Sequence, residues 1–280
     1  MVQSQFSPQM AQQAPNEHAR VVAQAFDSIA ASFDTTLEND TTARIRAKLY
    51  SIIESLAPPG STILDVTCGT GIDALYLANH GYQVFGTDIS KKMIRTARSK
   101  AEQSSCRNVH FAVASYDSIS QNIVPSADLV FSNFGGLNCT SNLASAARAI
   151  ASVTKSGGFM VGVIMPPFSL WESISYLARF EWRNAVRRLK KNAPATGFSS
   201  LTFPVHYYTP GTVAASFSTD FELIQITGLS IVSPTPQSRR FVQNHSVLTK
   251  ILVGLDGLIE RIPIIRAIGD HYIIVLRKKK

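Results

Sequence analysis

One stretch of the chain restricts its fold more than any other. Residues 63–66 form an apolar, strand-like run, and it gives way to Thr67-Cys68-Gly69-Thr70-Gly71, a turn with two glycines. A segment of helical character, 72–79, follows. The pattern then recurs in part, because a second strand-like run, 82–87, ends on the carboxylate Asp88. Strand, glycine turn, helix, strand and acid is the order in which an open parallel sheet holds a nucleoside. Glycine lets backbone come close to a ligand, since no side chain stands in the way. An acid at the end of the second strand can accept hydrogen bonds from both ribose hydroxyls.

The alternation continues through the chain. Strands are predicted at 62–67, 83–87, 109–114, 129–132 and 158–164, with helices at 72–79, 90–103 and 141–154. Short β-rich runs alternating with helices imply right-handed crossovers and a parallel sheet. Two helices are predicted ahead of the first strand. Helix 17–33 carries Val21, Val22, Ala25, Ile29 and Phe33 at helical spacing, and helix 41–56 carries Ile45, Leu49, Ile52, Ile53 and Leu56. Pro58-Pro59-Gly60 ends the second. Further on, a helix near 212–218 and strands at 221–232 and 271–277 complete the set.

At 280 residues the chain suffices for one α/β domain with insertions, and 45% hydrophobic residues can fill a core. Residues 1–17 are rich in Gln, Pro and Ser and read as a disordered tail ahead of a single domain, 18–280. Cys68, Cys106 and Cys139 show no paired spacing, which predicts a reduced, cytoplasmic protein and offers no metal framework. No apolar run approaches the roughly 18 residues of a membrane span. The net charge of +8 is uneven: segment 166–208 carries six basic and two acidic residues, and 234–280 carries nine and three. The remainder, with twelve basic and fourteen acidic residues, is slightly negative.

Several of these stretches together resemble the class I S-adenosylmethionine-dependent methyltransferases. Residues 65–71, Asp-Val-Thr-Cys-Gly-Thr-Gly, are similar to the family's first motif, with Thr67 where the family has its first glycine. Asp88-Ile89-Ser90 with Met93 resembles the second motif, and Ser132-Asn133-Phe134-Gly135 stands at the fourth. Phe26-Asp27-Ser28-Ile29-Ala30-Ala31-Ser32-Phe33-Asp34 resembles the N-terminal cap of small-molecule methyltransferases such as those of quinone biosynthesis. The resemblance implies a Rossmann-like α/β fold: a seven-stranded, mostly parallel sheet with an antiparallel last strand, helices on both faces, and helical and hairpin lid insertions. Residues 18–57 would be the cap and 58–165 the cofactor-binding core, with lids at 166–208 and 234–269.

The resemblance also assigns roles toward S-adenosyl-L-methionine. Gly69 and Gly71 would face the methionine end, on the turn that includes Thr67, and Asp65 would orient that turn or reach the ammonium through water. Asp88 would bind the ribose, and Ile89 and Met93 would sandwich the adenine. Ser115 and Tyr116 fall where the family reads the adenine amino group, and Asn133 would offer its backbone carbonyl to the ammonium. The residues alone also admit a dinucleotide cofactor, since Ala74 satisfies the looser form of that fingerprint. Asp65 before the glycines and the cap point instead to the methyl donor.

The acceptor side is less defined. Ligands of open α/β sheets lie beyond the carboxyl ends of the strands, and the two long, basic segments leave from that edge. A helix over 170–191 sets Leu170, Trp171, Ile174 and Leu177 among six cations. It reads either as an amphipathic helix with solvated charge or as a rim making transient contact with an anionic membrane surface. Residues 198–208 alternate like a strand or hairpin.

Methyl transfer needs a base only if the acceptor must lose a proton. The antiparallel last strand implied by the family would start at the ligand edge and bring His271 there, while His206 lies in the first lid. Either is a candidate base, and His271 can equally anchor the strand start through Asp270. Asn133 is followed by no prolines, unlike the amino-methylases of nucleic-acid bases, and no nucleic-acid recognition surface is evident. The stretch 130–143 has no carboxylate cluster for a metal. The expectation is metal-independent methylation of a small molecule, such as a lipid, quinone or secondary metabolite. An RNA or protein methyltransferase, a non-catalytic cofactor-binding protein and an oxidoreductase are the alternatives.

Overall fold

The computed structural model describes residues 17–116, 118–140, 142–190, 193–194 and 202–280. Most of the predicted disordered tail, residues 1–16, therefore lies outside the described residues.

Three helices precede the sheet: α1 (Glu17–Ile29), α2 (Phe33–Leu37) and α3 (Asp40–Leu56). The predicted helix over 17–33 ends early. Ser28 and Ser32 hydroxyls donate to the Ala25 and Ile29 carbonyls, and Ser32 N–H closes a tight turn on Ile29. Side chains that bond their own backbone in this way compete with helix continuation. Asn39 then restarts the chain, its side chain accepting from Thr41 and Thr42 N–H at the head of α3.

From there β1 (Thr62–Asp65), α4 (Ile72–Asn79), β2 (Gln83–Asp88), α5 (Lys91–Gln103) and β3 (Val109–Val113) follow in turn. They lead to β4 (Ala127–Ser132), α6 (Leu143–Val153) and β5 (Thr154–Ile164). The last part contains α9 (Pro210–Phe217), β8 (Phe221–Leu229) and β9 (His271–Lys278). Seven strands form one sheet in the order β3-β2-β1-β4-β5-β9-β8. The pairs among β1 to β5 are parallel, and β9 runs antiparallel to both β5 and β8. The expected antiparallel last strand is present, and it makes β8 run the same way as β5.

Both faces of the sheet are covered, so its strands read as continuous apolar runs rather than alternating ones. Ile63, Val84, Leu129 and Phe131 pack under Leu49 and Ile53 of α3 and Leu77 of α4. Their sequence neighbours Leu64 and Val130 point the other way. They pack with Ile274 against Ala147 and Ile150 of α6 and Phe217 of α9.

The segment after β5 departs from its prediction. Instead of one helix over 170–191 there are α7 (Leu170–Leu177), α8 (Trp182–Ala185) and a short 3₁₀ turn, Arg187–Leu189. Phe180 takes a left-handed backbone, φ +62°, and the N–H groups of Phe180 and Glu181 turn back onto Leu177 and Tyr176. The second half folds onto the first: Ser173 Oγ donates to the Ala185 carbonyl, and Arg188 donates to Glu172. Amphipathic spacing could not show this, because both halves keep helical periodicity. The predicted hairpin over 198–208 is described only as β6 (Ala193–Pro194) paired antiparallel with β7 (Pro204–Val205). The rest of that region, 195–201, lies outside the described residues. After β8 come α10 (Arg239–Asn244) and α11 (Ser246–Ile259).

Candidate functional site

A cavity opens where the carboxyl ends of β1, β2 and β4 meet the inner sides of α1 and α2. Val22, Phe26 and Phe33 close it from the helices. From the strand ends Thr67, Gly69, Asp88, Ile89 and Asn133 line it, joined by Ser115 and Tyr116 after β3. Seven of the ten residues singled out for cofactor contact thus meet at one cavity.

The carboxylate of Asp88 organises the turn. Its Oδ2 accepts from Gly69 N–H at 2.9 Å and its Oδ1 from Ser90 N–H at 2.8 Å. Burial pushes its pKa up to about 6, against the pull of those two N–H groups. Gly69 sits at φ +52°, and any side chain there would turn toward the Phe33 ring, 3.5 Å from a Cβ. Thr67, the departure from the family's glycine, is accommodated by Gly136. A Cβ on Gly136 would lie 2.5 Å from the Thr67 side chain, whose hydroxyl instead bonds Ser132 Oγ at 2.9 Å.

Asp65, Gly71 and Met93 stand behind the cavity wall rather than on it. Asp65 Oδ1 accepts from Thr67 N–H at 3.1 Å, while its buried Oδ2 has no partner. Burial, and then the neighbouring Asp73 carboxylate, hold the Asp65 pKa well above the carboxylate range. Gly71, at φ +82°, caps α4, and a Cβ there would meet the Phe111 ring at 2.9 Å. Met93 is fully buried under the second turn. The sandwich expected from Ile89 and Met93 is therefore one-sided, with only Ile89 on the cavity.

Sequence reading missed the far end of the cavity. Arg46 of α3 reaches it through a buried ion pair with Asp73, and Asp73 also accepts from Tyr50 Oη at 2.6 Å and Asn133 Nδ2 at 2.9 Å. Burial opposes the Arg46 charge, but Asp73 and Glu38 outweigh it and push the guanidinium pKa up. The guanidinium also lies 4.9 Å from the centroid of the Phe134 ring. Phe134 itself has φ +44°, uncommon for an aromatic residue. The one signal in the sequence was a lone arginine between apolar α3 positions Ile45 and Leu49, which helical spacing alone reads as a flank.

Neither candidate base lines the cavity. His271 is buried, with Nδ1 2.9 Å from Asp270 Oδ2, and its ring meets Phe134 edge-on at 6.1 Å between centroids. Phe134 is thus the wall between His271 and the cavity. Asp270 also takes Arg188 on its other oxygen at 2.5 Å, and Arg188 bonds Glu172. Although burial alone would raise it, His271 and Arg188 hold the Asp270 carboxyl well below the usual carboxylate range. His206 packs against His18 at 5.9 Å, with its Nε2 buried and without a partner, and burial lowers its pKa.

Residues 63–158, the stretch that builds this turn and the strands beside it, match the family model described as a methyltransferase domain. Over those residues the chain is similar to a methyltransferase domain, in line with its resemblance to the class I S-adenosylmethionine-dependent methyltransferases. It is 33% identical over 109 residues to a ubiquinone biosynthesis O-methyltransferase of Albidiferax ferrireducens, covering 39% of this chain and 43% of that protein. It is also 37% identical over 70 residues to the S-adenosyl-L-methionine-dependent Diels-Alderase iccD of Talaromyces variabilis, covering 25% of this chain and 24% of that one. The chain thus spans less than half the length of these curated relatives. Among solved structures, magnesium protoporphyrin IX methyltransferase from Synechocystis, with bound SAH, superposes with TM-score 0.60 at 13% identity. That match covers 94% of this chain and all of the other, and it establishes the methyltransferase fold over nearly the whole length.

Proposed function

We propose that this methyltransferase passes a methyl group from S-adenosylmethionine to a small-molecule acceptor by in-line displacement. The observation that carries the reading is the Asp88 carboxylate, held at the rim of the cavity by the N–H of Gly69. It leaves a half-buried acid facing the place where a ribose diol would donate. At the other end Arg46 is the only Arg or Lys among the described lining residues, and it suits a carboxylate. The Asn133 backbone carbonyl on the cavity suits an ammonium. Bound there, the sulfonium supplies an activated methyl group with a neutral thioether as leaving group. The protein's part is then alignment and exclusion of water, which α1, α2 and the aromatic rings of Phe26 and Phe33 provide.

Thermal melting with S-adenosylmethionine, S-adenosylhomocysteine and NAD tests the first half. Stabilisation by the first two only, lost in Asp88→Ala, is expected, and stabilisation by NAD alone would sink the reading. Labelled methyl donor with a metabolite extract then tests transfer.

One observation favours a second reading. The titratable side chains Asp73, Asp88 and Cys139 on the cavity are not placed as a base toward an acceptor: Asp73 is tied to Arg46, Tyr50 and Asn133, Asp88 faces the ribose in this reading, and burial pushes Cys139 up to about 12. Either the acceptor sheds no proton, the His271–Asp270 pair acts after Phe134 moves, or the cofactor is bound without being consumed. The similarity to a Diels-Alderase fits the last. Formation of S-adenosylhomocysteine in stoichiometry with product separates methyl transfer from a cyclase that leaves the donor intact.

A further inference from the structure

Helix α11 is built inside out. Its two fully buried residues are polar, Thr249 and Asp256, beside half-buried Leu252, Val253 and Ile259, and Asp256 accepts from Val232 N–H at 2.8 Å and Ser233 Oγ at 2.5 Å. Its outward residues are apolar. Val247, Ile251, Leu255, Leu258 and then Ile262 recur at helical spacing and are all exposed, Val247 by 71% and Leu258 by 77%. An ordinary surface helix has the opposite arrangement.

The neighbouring lid segment carries the same character. Trp171 of α7 meets the Phe241 ring of α10 at 4.9 Å, and its Nε1 donates to Ser238 Oγ at 2.9 Å. Leu170 N–H donates to the Ile268 carbonyl, joining the two segments at the edge where β5 and β8 end. Beyond α7 project Phe180, 81% exposed, and Trp182, 65% exposed.

The charges around these apolar groups are of one sign. Arg179, Arg183 and Lys190 are exposed on the first segment, and Arg239, Arg240, Lys250 and Arg261 on the second. No carboxylate is exposed among the described residues of either. Glu172 is tied to Arg187 and Arg188, Glu260 to Lys48, Asp256 is buried, and Glu181 is half-buried and bonded to Asn184. Seven exposed cations on the same two segments as exposed Leu, Ile, Phe and Trp describe a surface suited to anionic lipid, where apolar groups would enter the acyl boundary and cations meet the headgroups.

We propose that α11 and the Phe180–Trp182 projection dock this protein onto the surface of an anionic membrane. A second copy of the chain fits less well, because pairing two such faces would set cation against cation. The proposal does not depend on methyl transfer. If both hold, the edge of the sheet that carries the donor cavity faces the bilayer, where an apolar acceptor would be dissolved.

Co-sedimentation of the full chain tests this, with vesicles of phosphatidylcholine and phosphatidylglycerol compared with phosphatidylcholine alone. Binding to the anionic vesicles only is expected, weakened by salt. The double variant Ile251→Asp, Leu258→Asp should bind about tenfold more weakly with its melting temperature unchanged, since both sites already face water. In the unaltered protein, brominated lipid should quench Trp182 fluorescence, and Trp182→Phe should remove that quenching; this readout holds even if the double variant fails to fold. No sedimentation, equal binding to both vesicles or undiminished binding by a folded double variant would overturn the proposal. So would a dimer that the double variant dissolves, because a second copy would then cover the face.

Discussion

Replacing Asp88 by Asn separates the donor site from the rest of the fold more cleanly than any other change. In the structure the two carboxylate oxygens accept from Gly69 and Ser90 N–H at 2.9 and 2.8 Å and retain lone pairs for a ligand. A ribose diol bound there would add two hydrogen bonds to an ionised group, at about 1.5–3 kcal/mol each. The amide of Asn keeps the volume, but its NH₂ would face a donor, so one side of the diol loses its acceptor and the other loses the charge. A net loss of about 2–4 kcal/mol weakens S-adenosylmethionine binding by about 30- to 700-fold, read by calorimetric titration. Binding by Asp88→Asn within twofold of the unaltered protein would refute the assignment.

The same residue makes a prediction in pH, with opposite signs for the free and the bound protein. Its pKa is about 6 in the fold, against an ordinary 3.8. A raised acid binds its proton more tightly when folded. The unaltered protein therefore gains stability relative to Asp88→Asn as pH falls from about 6 toward 4, by up to about 3 kcal/mol. Ligand binding requires the carboxylate, so the Asp88 contribution to affinity falls over the same window, by about tenfold at pH 5, where about one site in ten is ionised. Melting curves and titrations of both proteins across pH 4 to 8 would show the two trends crossing. A difference in stability that grew with rising pH would contradict the burial argument.

Other positions test the remaining parts of the site. Arg46→Met leaves Asp73 charged and buried, which should cost about 3–5 kcal/mol and lower the melting temperature by roughly 6–15 °C. It should also weaken S-adenosylhomocysteine more than methylthioadenosine, which has no carboxylate for Arg46 to read. Gly71→Ala combines a left-handed φ of +82° with a Cβ 2.9 Å from Phe111, so a loss of at least about 1 kcal/mol in chemical denaturation is expected. His271→Ala should remove turnover and leave donor binding intact if His271 is the base, and full turnover would reduce it to an anchor for the start of β9.

The parts of this molecule that were legible in the sequence are those where one residue type has one physical use. Only glycine takes the left-handed turn at Gly69 and Gly71 without strain, and an acid at the end of a strand beside it has few other roles, so the turn and Asp88 could be read directly. The order of strands followed from alternation, and the reversed β9 from the family resemblance. What was not legible depends on contacts distant in sequence. Met93 was placed on the cavity because it follows Asp88 at the right spacing, yet α5 turns it into the core. Arg46 and Asp73 are 27 residues apart, and nothing in either neighbourhood announces the other. The break at Phe180 is fixed by Arg188, Glu172 and Asp270 meeting across the lid, which a helical pattern through both halves conceals.

The distribution of charge connects these readings. The net charge of +8 sits outside the cavity, on the two lid segments and the last strand, while the donor end of the sheet gathers Asp65, Asp73 and Asp88. After burial itself, the Asp73 and Asp88 carboxylates push the Asp65 pKa up. The free protein therefore bears the cost of crowded acids at the place where a ligand with a sulfonium and an ammonium would relieve it. The cations could not take that role without filling the cavity, and only Arg46 enters, already paired. Placing the remaining positive charge on the outer edge leaves the cavity acidic and the rim basic. On the proposals made above, a cationic donor would be held from inside, and an anionic membrane surface would be drawn to the same edge from outside. That division requires no contact between the two sets of charges, which explains why the sequence showed the asymmetry while hiding its purpose.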